Sequence, residues 1–259
     1  MDKSISNGTT SGIPKVSIIV LTRNRKNDLR ECLESLKKLT YLNYDVIVVD
    51  NDSTDGTIGL MQCYRDSVEF IETGKNLGFS AGNNVGIKRA LEKGADYLLL
   101  LNDDTIVDPG FLNVLVNACE KDASVGIAGP KIYLYAEPRK LWATADIKNI
   151  RKIDEGQENE DKYVDYVVGC AFFIRREVVE KVGFLDEDLF LYREEDVYCT
   201  KARNAGYKIM FLPRSIIWHK APVLGDHLKP YQVYYNCRNS ILVRNAVLII
   251  GWCLVLYRL

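Results

Sequence analysis

The sequence predicts an α/β protein with a mainly parallel central sheet, flanked by helices and followed by a helical C-terminal extension. Three observations carry that expectation. Short apolar, β-branched runs alternate with helical stretches over the first 130 residues. These runs are nearly continuous in apolar character, which implies strands buried on both faces under helices. The first four runs each end in a polar cluster, and the carboxyl ends of strands are where open α/β sheets bind ligands.

Lys15–Leu21 is the first strand, followed by Val46–Val49, Val68–Glu72, Tyr97–Leu101 and Val125–Ala128. Between the first two, Leu29, Cys32, Leu33, Leu36 and Leu39 recur on one helical face. Thr57–Arg65 and Ala81–Lys93 are weaker helices. Phe111–Lys121 is a stronger one, with Asp108 placed as N-cap and Pro109 at the first helical position. Residues 135–163 are polar and aperiodic, and read as a long excursion. Beyond them come a strand over Val164–Ile174, a helix over Arg176–Val182, and a helix over Glu194–Asn204 stopped by Gly206. Lys208–Leu212 and Ser215–Trp218 read as two short strands. No internal repeat is present.

The chain of 259 residues carries 34 basic and 35 acidic side chains, a formal net charge of −1. With 47% hydrophobic residues it is an ordinary globular composition, and the balance lacks the basic excess of a nucleic-acid binder. Seven cysteines without a CxxC pair fit neither a zinc site nor a dense disulfide framework. Reduced, mostly buried thiols and a cytosolic setting follow. Residues 1–14 are Gly/Ser/Thr-rich and read as a flexible lead-in. Ala246–Tyr257 is almost wholly apolar, yet shorter than the roughly 20 residues of a membrane span. From Trp218 onward the net charge is +4, which suits a membrane-facing tail as well as it suits a helix packed on the body or on a second subunit.

The polar strand ends are Thr22-Arg23-Asn24-Arg25, then Asp50-Asn51 with the Ser/Thr/Asp/Gly residues after them, then Gly74 to Asn84, and Asn102-Asp103-Asp104. Taken singly, each is explained by turn and cap chemistry. Together they describe a rim built for a large polar ligand. Two adjacent carboxylates at the end of a buried strand repel each other and lose solvation. A hard divalent cation shared with a diphosphate resolves that, with His219 as a further candidate ligand. A capped turn explains the bare tripeptide better. Glu194-Glu195-Asp196 opens a helix, where acids complement the dipole; a general base is the functional alternative. Spacing alone favours the dipole.

The segments VSIIVLTRNR, VVDNDSTDGT, NLGFSAGNNVGI, LLLLNDDTIVDPGFL, GCAFFIRREVVEKVGFLDEDLFLYREEDVYCTKARNAGY, WHKAP and YYNCRNSIL occur in this order. As a set they resemble the family 2 glycosyltransferases, closest to the rhamnosyltransferase-like branch, from about Lys15 to Arg244. The resemblance implies a Rossmann-like GT-A fold over residues 15–220, with a nucleotide-sugar half (15–130) and an acceptor half (131–220). Residues 221–259 then form the helical, membrane-associating or dimerising segment. It implies a metal-dependent, inverting, hexosyltransferase-type transfer from a UDP-, dTDP- or GDP-linked sugar such as rhamnose. The acceptor is a saccharide or lipid-linked hydroxyl, in polysaccharide, glycan or glycolipid synthesis at the inner face of the membrane.

Residue by residue, Thr22, Arg23, Asp50 and Asn51 match the nucleotide-holding positions, and Lys75, Asn76, Gly78 and Asn84 match the loop beside the nucleotide. Asp104 matches the best ligand of the family's acidic metal motif for Mn2+ or Mg2+, and His219 the histidine that completes it. Asn102 stands where the family has its first acid, which leaves Asn102 and Asp103 as sugar contacts. Asp196 matches the proposed base, with Glu195 beside it. Trp142, Asp146, Asp165 and Cys170 lie where an acceptor pocket would form. A dehydrogenase would need GxGxxG after the first strand, where TRNR stands. A sugar nucleotidyltransferase would need a glycine-rich, basic loop there. A non-catalytic sugar-nucleotide-binding scaffold of the same fold is the alternative to an enzyme.

Overall fold

The computed structural model describes residues 12–143, 159–220 and 229–256, with side chains to Val243 in the last stretch. Most of the lead-in and Asp146 therefore lie outside the described residues. The strands β1 (Val16–Thr22), β2 (Tyr44–Asp50), β3 (Glu69–Glu72) and β4 (Tyr97–Asn102) run parallel in the order β3-β2-β1-β4. In register, Thr22 stands beside Asp50, and Leu21 beside Asn102. All four carboxyl ends thus share one rim.

The apolar runs behave as their pattern requires. Along β1, Ile18 and Val20 pack into one core with Leu29, Cys32 and Leu33 of α1 (Lys26–Leu36). Ile19, between them, packs into the other core with Ile87 and Ala90 of α3 (Gly78–Glu92). The glycines of α3 let it lie close on the sheet. A Cβ at Gly86 would stand 2.4 Å from Ile19 Cγ2, and one at Gly82 2.6 Å from Leu21 Cδ1. The recurrence of Gly78, Gly82 and Gly86 at every fourth position is thus a packing face. α2 is shorter than expected, Thr57–Met61.

The second half of the sheet is mixed. After β5 (Thr105–Val107), α4 (Phe111–Lys121), β6 (Val125–Leu134), β7 (Leu141–Ala143) and β8 (Lys162–Val164) comes β9 (Ala171–Arg175). β9 enters antiparallel between β4 and β6. The single strand expected over Val164–Ile174 is corrected: it breaks at 165–170, where Gly169 and Cys170 pass the end of β4 and Cys170 O accepts the Asn102 N–H (2.9 Å). After α5 (Arg176–Val182) and α6 (Glu194–Asn204), the two strands expected over 208–218 form one, β10 (Lys208–His219). A register shift between Leu212 and Ile216, around Pro213, marks the expected gap. Asp108 does not cap α4 directly; its carboxylate accepts the Gly110 N–H (2.8 Å), and the helix starts at Phe111. Gly206 is left-handed (φ +93°) after α6, as expected. The chain then forms α7 (Pro230–Leu256).

Candidate active site

Three hydrogen-bonded loops make the floor of the rim. Asn24 (φ 53°) and Asp52 (φ 71°) are left-handed, and Asn24 Oδ1 accepts the Thr54 N–H (2.7 Å), stitching the loops after β1 and β2. Asp50 is buried; one carboxylate oxygen accepts the Ser53 N–H (3.0 Å) and the other has no partner. A buried orphan acceptor of that kind is poised for a ligand N–H. Asn51 clasps the third loop: its amide donates to Asn76 Oδ1 and Gly78 O (both 3.0 Å), and its Oδ1 accepts the Leu77 N–H (2.8 Å).

The turn from β4 into β5 carries Asn102, Asp103 and Asp104. β5 pairs antiparallel with β10, placing Thr105 beside His219. That pairing brings His219 Nε2 to 3.0 Å from Asp104 Oδ1. Arg25 binds the other oxygen of Asp104. Burial alone would raise the Asp104 carboxyl, but the His219 hydrogen bond and charge, with the Arg25 charge, hold it down to about 2. Asp103 accepts the Thr22 hydroxyl (2.7 Å), yet burial and the neighbouring Asp104 push its carboxyl up to about 7. The two adjacent acids are thus driven apart, one ionised and one near neutrality.

This donor set fits a hard divalent ion in part. Asp104 and His219 present a carboxylate oxygen and an imidazole nitrogen side by side, both buried. Among the described residues no group of three or more acidic, histidine or cysteine side chains converges. The described residues therefore offer two candidate ligands, Asp104 and His219.

A cleft of about 570 Å³ opens over this turn. Thr22, Arg23, Asn51, Asn76, Gly78, Asn102, Asp103 and Asp104 line it as expected, together with Arg25. The opposite wall, which the sequence did not disclose, is Phe79, Phe190, Leu191, Tyr231 and Tyr235. Phe190–Arg193 forms a strap across the start of α3. Phe190 O accepts the Phe79 N–H (2.7 Å), and a Cβ on Gly78 (φ +80°) would meet that carbonyl at 2.5 Å. α7 holds the strap down: Tyr235 stacks on Phe190 (5.1 Å, 20°), and buried Asn239 donates to the carbonyls of Leu191 and Tyr192 (both 2.8 Å).

The strap ends in two left-handed residues, Tyr192 (φ 70°) and Arg193 (φ 78°), which aim the first turn of α6. Glu195 lies against the Gly169 backbone, where a Cβ would stand 3.6 Å from its carboxyl carbon. Burial, with Asp196 adding to it, pushes Glu195 up to about 7 against the backbone donors and Arg193. The Cys170 thiol, raised well above its ordinary value by burial, feels both Asp104 and Glu195. Gly169–Cys170 runs from the Glu195 carboxyl to the end of β4. Glu195 does not line the cleft, and neither does Asp196, the residue expected as the base. Asp196 pairs with Arg193 Nε (3.1 Å) and lines a separate depression of about 460 Å³. Glu194 is buried with one oxygen unpartnered, and burial raises its carboxyl well above the usual range.

Other expected residues fall outside the cleft. Lys75 is exposed, its carbonyl accepting the Thr73 hydroxyl. Asn84 is buried and ties α3 to Leu185 and Glu187 (2.9–3.0 Å). Asp165 is an exposed partner of Arg203 in the depression that holds Asp196. Trp142 meets His219 edge-on (4.7 Å), so it braces the imidazole.

The sequence profile described as Glycosyl transferase family 2 matches residues 17–183. The low-salt glycan biosynthesis hexosyltransferase Agl10 of Haloferax volcanii is 28% identical over 242 residues, covering 90% of this chain and 76% of that protein. The dTDP-rhamnosyl transferase RfbF of Shigella flexneri is 26% identical over 239 residues, covering 88% and 78%. Among solved structures, the mannosyltransferase PcManGT of Pyrobaculum calidifontis, in complex with GDP-Man and Mn2+, superposes with a TM-score of 0.62 at 21% identity. It covers 82% of this chain, and this chain spans 58% of its length. The shared architecture is the GT-A fold.

Proposed function

Because the chain belongs to glycosyl transferase family 2, we propose that it moves a sugar, rhamnose first among candidates, from a nucleotide-diphosphate sugar to an acceptor hydroxyl with inversion. The observation that carries this reading is the link from Asp104 through Asn102 and Cys170 to Glu195. It puts Glu195 against the Gly169–Cys170 backbone that pairs with the end of β4, next to the turn that carries Asp104.

In this reading Thr22, Arg23, Asp50, Asn51, Asn76 and Gly78 hold the nucleotide, with Lys75 beside the loop. The unpartnered oxygen of Asp50 accepts an N–H of the base. Asn102 and Asp103 contact the donor sugar. Asp104 and His219 hold Mn2+ or Mg2+, which when bound offsets charge on the leaving diphosphate. Arg25 and Arg23 present guanidinium groups to the same phosphates. Glu195 removes the proton from the acceptor hydroxyl as the acceptor oxygen bonds to the anomeric carbon and the bond to phosphate breaks. A base titrating near 7 is matched to that task. Asp196 fixes Arg193 and with it the aim of Glu195. The acceptor is a saccharide or lipid-linked hydroxyl in glycan, polysaccharide or glycolipid synthesis, used at the cytoplasmic side.

Incubation with dTDP-, UDP- and GDP-sugars and Mn2+ or Mg2+, following release of free nucleotide, tests the reading. Slow, cation-dependent hydrolysis of one nucleotide class, with dTDP-rhamnose the leading donor, is expected. Absence of both turnover and nucleoside-diphosphate binding across the panel overturns it.

A further inference from the structure

α7 is arranged inside out. The polar side chains of its first half point at the protein or back onto the helix itself. Asn239 grips the strap, and Gln232 donates to the Tyr192 hydroxyl (2.7 Å). Asn236 and Ser240 bond to carbonyls one turn earlier, at Gln232 and Asn236. The residues facing away from the protein are apolar or aromatic. Tyr234 is 60% exposed and Ile241 61%, with Val233 also exposed; Tyr231 and Leu242 are exposed at the edges, where the helix meets the cleft and the depression holding Asp196. A helix packed on a protein and facing water has the reverse arrangement.

The charge pattern says what covers this face. Residues 229–259 contain Lys229, Arg238, Arg244 and Arg258 and no acidic residue, in a chain whose total charge is −1. An apolar and tyrosine-bearing face on a segment whose sequence carries cations and no acid matches an anionic lipid surface. Among the described residues no helix is long and apolar enough to cross a membrane, so the match is to lying on a bilayer.

We infer that the outer face of α7, from Tyr231 to Leu242, docks on an anionic phospholipid surface. Tyr231 and Tyr235 of the same helix also wall the cleft, so docking brings the cleft to the bilayer and selects a lipid-linked acceptor. That last consequence rests on the transferase reading; the docking does not.

Flotation of the full chain with vesicles of phosphatidylglycerol and phosphatidylcholine, against phosphatidylcholine alone, tests this. Binding to the anionic vesicles, lost at high salt, is expected. Val233→Ser with Ile241→Ser should lower partitioning by roughly tenfold or more, and Lys229→Glu should lower it further. Nucleoside-diphosphate binding measured in parallel should be unchanged in these variants, showing that the fold and the cleft persist. Failure to float with either vesicle, or equal flotation of the variants, overturns the inference. So does a dimer that the same substitutions dissociate in the absence of any lipid binding. Loss of nucleotide binding in the unaltered chain would instead strike the transferase reading and leave the docking result standing.

Discussion

His219 Nε2 stands 3.0 Å from Asp104 Oδ1, although 115 positions separate the two in the chain. The contact depends on β5, three residues long, which pairs with the end of β10 and closes the sheet over the β4 turn. Asp104→Asn removes the charge shared by His219 and Arg25 and leaves buried donors unmatched. A stability loss of about 1–3 kcal/mol is expected, read by urea denaturation. Quenching of tryptophan fluorescence by Mn2+ should disappear with it, since Trp142 lies against the His219 ring.

Glu195 contributes to the pH dependence, alongside Asp103, which titrates in the same range. A base must be unprotonated, so turnover should rise with pH through about 7 and level off above it. Stability should move the opposite way. The folded-state value lies above the ordinary 4.5, so the folded protein holds the proton more tightly than the unfolded chain does. The stabilisation from that proton is complete below about 4.5 and is lost as pH rises through about 7. Turnover and thermal melts across this range, repeated on Glu195→Gln, check both slopes; the melting slope should flatten in the variant.

Gly78 is where α3 and the strap touch. Gly78→Ala places a Cβ 2.5 Å from the Phe190 carbonyl, on a left-handed backbone. The strain is worth about 1–3 kcal/mol, which for a chain of this size lowers Tm by roughly 2–10 °C. Calorimetry reads it directly.

Asn239→Ala removes both amide hydrogen bonds to the strap carbonyls. Two half-buried acceptors lose their partner, at a cost of about 1 kcal/mol. Turnover should fall more than Mn2+ binding does, because the strap aims Glu195 while the Asp104–His219 pair hangs on β5 and β10. Mn2+ titration beside kcat separates the two effects.

The parallel half of the fold was legible because its signals are local. The run from Val16 to Thr22 alternates between two cores residue by residue, and such strands announce themselves by composition. Their polar ends followed, and with them Thr22, Asn51, Asn76, Asp103 and Asp104 in the cleft. β5 and β7 were not legible, since three residues carry no period. Nor was the break before β9, where apolar Val167 and Val168 continue the pattern while the backbone turns. Glu195 and Asp196 are neighbours on a helix, so they point about 100° apart, and which of them faces Gly169 depends on the left-handed Tyr192 and Arg193. No local rule assigns that conformation to a tyrosine and an arginine. Tyr235 of the aromatic wall was present in the YYNCRNSIL segment, but its docking on Phe190 is a tertiary fact.

If Asp104 and Glu195 serve one reaction, a pair of isosteric variants separates Glu195 from its neighbour Asp196. Donor-sugar turnover and nucleoside-diphosphate affinity would be measured for Glu195→Gln and Asp196→Asn. Glu195→Gln should lose turnover by about 10²–10⁴-fold with affinity intact, while Asp196→Asn should keep most of its turnover. Near-normal turnover in Glu195→Gln, with the loss appearing in Asp196→Asn instead, would contradict the assignment of Glu195 as the base.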